Sequence, residues 1–84
     1  MGKYKYHVYV AEGYTKEKPS AVYRAPKDNP LYLEVLQRDG KWHLNHDVIR
    51  AFMNGDTLMV EEVTQEEGER AAAYLLKVMK GRKA

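Results

Sequence analysis

The chain contains no cysteine, which removes disulfides, thiolate nucleophiles and cysteine-ligated zinc from consideration and leaves packing alone to hold the fold. Such a composition suits a reducing cytoplasm. Ser20 is the only serine and follows Pro19 in a polar stretch, so the usual nucleophile-and-base arrangements have almost no candidates. The six glycines, at 2, 13, 40, 55, 68 and 81, are scattered and spell neither a dinucleotide fingerprint nor a phosphate loop. No cofactor is implied. Charge of one sign is scarce too: the net charge of +2 is too small to argue for a polyanion partner by itself. No run approaches the ~20 apolar residues of a membrane span, and the N-terminal Met1–Tyr6 segment lacks the apolar stretch of a signal peptide. The expectation is a cytoplasmic protein with no membrane partner.

What is present is a foldable composition. Apolar residues at 44% and charged residues at 31% of 84 argue against disorder, and a chain of this length supports one core, hence a single domain over residues 1–84.

Tyr4 to Val10 alternates, with Tyr4, Tyr6, Val8 and Val10 on one side and Lys5, His7 and Tyr9 on the other, the period of a half-buried strand. Ala21 to Ala25 predicts a second strand, ended by the Pro26–Pro30 turn region. Leu31 to Asn45 predicts a hairpin about Asp39-Gly40, a pair suited to a two-residue type I′ turn. That turn pairs Arg38 with Lys41 and Val35 with Leu44, placing Leu31, Leu33, Val35, Trp42 and Leu44 on a core face. Tyr32, Glu34, Leu36, Arg38, Lys41, His43 and Asn45 then fall on the other.

A short helix over His46–Asn54 follows, capped by Asn45 and stopped by Gly55, with Val48, Ile49, Phe52 and Met53 at helical spacing. Thr57 to Val63 predicts the last strand, burying either Leu58 and Val60 or Met59 and Val63. Thr64-Gln65-Glu66-Glu67 matches a capping box. Beyond it Gly68, Ala71, Ala72, Leu75, Leu76, Val78 and Met79 share one stripe of a helix running to about Lys80. The expected class is α+β: a small, mainly antiparallel sheet in the order β-β-β-β-α-β-α, with the C-terminal amphipathic helix packed on one face. Five acidic residues between Glu61 and Glu69, followed by basic residues from Arg70 onward, complement the dipole of that helix.

His43, His46 and Asp47 offer two imidazoles and a carboxylate within five residues, but one strand and one helix start must bend to bring them together, so no metal site is assigned. Glu61 and Glu62, adjacent on a strand, point to opposite faces and cannot act as a facing acid–base pair. The more informative constellation is the sheet face away from the C-terminal helix, where Lys5, His7, Tyr9, Tyr32, Arg38, Lys41 and His43 would mix cations with aromatic rings. That mixture serves protein contact, is compatible with self-pairing in a homodimer, and also serves single-stranded nucleic acid. The bland explanation is that tyrosine forms strands well and lysine guards edges.

The leading expectation is a small non-enzymatic binding protein, a regulator or inhibitor acting on a protein partner, of the compact kind common in phage and mobile-element gene sets. The alternative is nucleic-acid binding through the same face and the basic tail Lys80-Gly81-Arg82-Lys83.

Overall fold

Alternation, capping and turn chemistry produce seven elements over residues 3–56 and 58–81, the part of the chain that this computed structural model describes. They are β1 (Tyr4–Tyr9), β2 (Ala21–Pro26), β3 (Glu34–Leu36), β4 (Trp42–Leu44), α1 (His46–Met53), β5 (Val60–Val63) and α2 (Gln65–Gly81). The expected order and the α+β class are both present. Thr57, expected to open the last strand, and the tail residues Arg82 and Lys83 lie outside the described residues.

All five strands form one antiparallel sheet in the order β4-β3-β2-β1-β5. Because every neighbouring pair is antiparallel, β4 and β5 run in the same direction at opposite edges. Strands so related need a crossover, and α1 is that crossover.

The α2 helix starts as its capping box dictates: the Thr64 hydroxyl accepts from the Glu67 amide at 3.1 Å, and the Glu67 carboxylate accepts from the Thr64 amide at 3.0 Å. Its stripe meets β1 and β2. Tyr6, Val8, Val22, Leu36 and Val63 from the sheet and Ala71 and Leu75 from the helix form the main core. The last strand therefore buries Val63, whereas Met59 remains 43% and Leu58 87% exposed. Gly68 makes the close approach possible, since a Cβ there would overlap Tyr6 Cβ and Cγ.

The hairpin differs from expectation by one residue. Leu36 pairs with Trp42, Val35 with His43 and Glu34 with Leu44, and the Gln37 amide donates to Lys41 O at 2.9 Å to close a three-residue loop. A type I′ turn would force a positive φ on Asp39 as well as on Gly40. The longer loop confines that conformation to Gly40, at φ 82°, where it costs least. Asp39 then accepts from the Lys41 amide at 2.9 Å. The shift overturns the expected partition of faces. Register puts Glu34, Leu36, Trp42 and Leu44 on the α2 side, while Val35 and His43 face away. Leu33 and Leu36 are both buried, whereas Leu31 and Leu44, expected on the core face, stay 44% and 38% exposed; the sheet carries a cover on each face.

The second cover is α1. Asn45 caps it, its Oδ1 accepting from the Val48 amide at 3.0 Å. It ends with Asp56 N–H bonded to Ala51 O and Gly55 N–H to Phe52 O, the paired bonds of a Schellman stop with Gly55 at φ 76°. Phe52 lays its ring edge-on to His7, with centroids 5.1 Å apart, and to Tyr23, 6.4 Å apart. Ala25, fully buried, lies on this side, opposite the main core.

Candidate functional site

The seven residues expected to share one surface do not. Lys5, His7 and Tyr9 on β1 and His43 on β4 do face away from α2, but two strands and α1 intervene between the first three and the last. Lys5 is engaged with Glu62 at 3.7 Å. His7 lies half-buried beside the Phe52 ring, and this burial holds its pKa below the ordinary 6.5, outweighing the opposing pull of Glu62. Tyr32 stands in the segment before β3, 45% exposed. Arg38 lies in the hairpin loop that Lys41 closes, and Arg38 lines a cleft of about 200 Å³ on the α2 side with Tyr14, Tyr74 and Met79. Of these, Tyr74 is partly buried and packs against the main core, whereas Tyr14 is 46% exposed.

His43 Nε2 and Asp39 Oδ2 are 2.9 Å apart across the hairpin. The Lys41 amide and then this imidazole hold the Asp39 carboxyl below its usual range. The geometry is that of an exposed turn lock. His46 begins α1 instead of joining His43, and among the described residues no group of three or more His, Asp or Glu side chains is gathered as metal ligands. Glu61 and Glu62 diverge as alternation requires, one toward Lys16 at 3.8 Å and the other toward Lys5.

Two clusters emerge that the alternation of single strands did not reveal. In the first, the Arg24 guanidinium lies 4.2 Å from the Tyr4 ring centroid and 4.4 Å from that of Trp42, while its Nε donates to Glu34 Oε1 at 3.0 Å. Register brings these four side chains to one face. A cation sandwiched between two rings and bonded to a carboxylate is satisfied by its neighbours. It is a structural clasp.

The second cluster is an open groove of about 370 Å³ between α1, the sheet and the segment leading into β5. Tyr9 and Tyr23 form its floor, Val48, Ala51 and Phe52 one wall, and Leu58, Met59 and Val60 the other, with Asp56 the only charged residue lining it among the described residues. Burial raises the Tyr23 pKa, and neighbouring Tyr9 adds to the effect. No residue of α1 is fully buried, and its Phe52 packs edge-on against His7 and Tyr23 of the sheet. Beside it Leu58 is 87%, Met59 43% and Tyr9 37% exposed, and Met53 on α1 is 66% exposed. Of these residues, sequence reasoning marked only Tyr9 as a binding residue. The usable signal was the apolar spacing of α1, which requires a surface to cover.

No protein family, curated protein or solved structure matches the chain.

Proposed function

We propose that this protein is a non-enzymatic binding protein, a regulator or inhibitor that works by contact with a protein partner through the groove between α1 and β5. The observation that carries the reading is the grouping of the exposed Tyr9, Leu58 and Met59 around one groove, lined by aliphatic and aromatic side chains together with polar surface. Scattered surface apolar residues need no explanation, but a grouped set beside a concavity marks contact surfaces, and tyrosine is favoured at the centres of interfaces. The basic residues supply less support for a polyanion, since Lys5, Lys16 and Arg24 are each engaged with a carboxylate. Action in the cytoplasm is consistent with the cysteine-free sequence.

The test is affinity capture from the native host with the wild-type chain and with Leu58→Glu, Met59→Glu and Tyr9→Ala, each checked for folding by circular dichroism. A stoichiometric protein partner should be retained by the wild type and by Tyr32→Ala, whose side chain does not line the groove. The groove variants should lose it, since truncating an interface hot spot costs about 2 kcal/mol or more. Equal capture by all variants would rule the groove out. Binding of labelled DNA or RNA that weakens steeply between two salt concentrations would favour a polyanion partner instead.

A further inference from the structure

The two edges of the sheet are unequal. Gln37 N–H donates to Lys41 O and Asn45 N–H to Leu33 O, so Lys41, His43 and Asn45 turn their backbone groups toward β3. Antiparallel alternation then directs the N–H and C=O of Trp42 and Leu44 outward. Among the described residues no backbone group pairs with them on that side. At the other edge, the bond from Val10 N–H to Met59 O fixes the outward residues of β5 as Val60 and Glu62. Natural sheets guard free edges with charge, proline or very short strands, and of these β4, at three residues, has only its shortness. The β5 edge carries Glu61 and Glu62, whereas β4 reads Trp-His-Leu.

We infer that β4 is a self-association edge whose occupant is β4 of a second copy of this chain. An antiparallel two-fold pairing centred on His43 sets Trp42 opposite Leu44 of the second copy, and Leu44 opposite its Trp42. Both are outward residues, so each pair exchanges two backbone hydrogen bonds, four in all. On the α2 side the four side chains form an apolar row that covers Leu44, 38% exposed in the single chain. On the other side His43 faces its own copy, each imidazole already held by its Asp39 at 2.9 Å.

Charge decides between the edges. The β4 pairing sets Lys41 opposite Asn45 and opposes no two like-charged residues from Lys41 to Asn45. The equivalent pairing of β5 would set Glu61 against Glu61, a destabilising juxtaposition. The β4 contact uses the same patch on both copies and therefore closes as a dimer. A three-residue edge is small beside the interface of a stable dimer, ~1,200–2,000 Å², so the association is weak and concentration-dependent. It lies at the opposite edge of the sheet from the groove and does not rest on the proposed function.

Sedimentation of the purified chain from micromolar to millimolar concentration, with residue-resolved amide exchange on the same samples, tests the assignment. The weight-average mass should climb from 9.7 kDa toward twice that value, and the Trp42 and Leu44 amides should gain protection in step. Leu44→Lys should remain monomeric throughout, and Glu62→Ala should behave as wild type. If Leu44→Lys does not fold, the wild-type amides still decide. A mass that never rises, or that rises while those two amides exchange unchanged, would overturn the inference.

Discussion

Replacing Gly68 with alanine sets two known effects against each other. Removing a glycine from a helix interior is worth ~1 kcal/mol in favour of alanine. Against that, the new methyl would overlap Tyr6 Cβ and Cγ, and Cβ is fixed by the β1 backbone, so no rotamer change of Tyr6 can relieve the clash. Tyr6 is 4% exposed and is confined by Trp42 at 6.0 Å and Tyr4 at 6.4 Å between ring centroids. Overpacking of a tight core costs about 1–3 kcal/mol, and the rigidity of this contact puts Gly68→Ala at the upper end, a net loss of ~2 kcal/mol. For a domain of this size that is a fall in Tm of about 10 °C. Thermal and urea melts would measure it, with Gly81→Ala as the control, since a Cβ at Gly81 meets nothing within 4 Å. The fluorescence of Trp42, the only tryptophan, should also shift as Tyr6 is displaced. A Gly68→Ala variant melting at or above the wild type would refute the account of how α2 seats on the sheet.

Thr64→Ala removes the acceptor for the Glu67 amide and should cost ~1 kcal/mol in urea unfolding. The Thr64 amide holds the Glu67 carboxyl below its ordinary 4.5, so its contribution is present above that pH and fades as pH falls through the lowered value. Glu67→Gln should flatten this acid limb, and a profile parallel to wild type there would exclude the linkage. Burial lowers the His7 pKa from 6.5, so stability tied to His7 is complete above pH 6.5 and declines as acid protonates the buried ring. An NMR titration of His7 with a midpoint at or above 6.5 would contradict this. Arg24→Lys keeps the charge but loses the flat stack on Tyr4 and Trp42 and should lower stability by ~1 kcal/mol; unchanged melting would show that the clasp contributes nothing. Amides of α1 should exchange by local opening well before those of α2, because α1 has no buried residue. Equal protection of the two helices would make α1 part of the main cooperative unit.

The reach and the limit of the sequence have specific causes. Capping boxes, glycine stops and alternation are local, and they located α2, α1 and β1 nearly to the residue. Hairpin register is local too, yet Asp-Gly serves two loop lengths, and the two differ by which face Leu36 joins. The tie was broken in the folded state by Leu36 reaching the main core and by Asp39 accepting from both Lys41 and His43. Reading the hairpin as one-sided assumed that one face was wet. The expected grouping of side chains is dispersed for a related reason: a mixed aromatic and basic face presents one open surface only while nothing packs on it, and Phe52 packs on His7.

That cover was implicit in the number of amphipathic elements. One sheet has two faces, α2 occupies one, and the Val48, Ile49, Phe52 and Met53 spacing of the shorter helix leaves it only the other. Topology points the same way. β4 and β5 run in the same direction at opposite edges, so the chain must cross three strands between them. At 1.5 Å per residue, the eight residues of α1 supply only about 12 Å of that path. A helix too short to cover the face it crosses leaves a gap on the β5 side. The exposed Leu58 and Met59 lie in the stretch that borders this gap. The groove is therefore a consequence of the crossover, and its apolar rim is the part that folding alone does not account for.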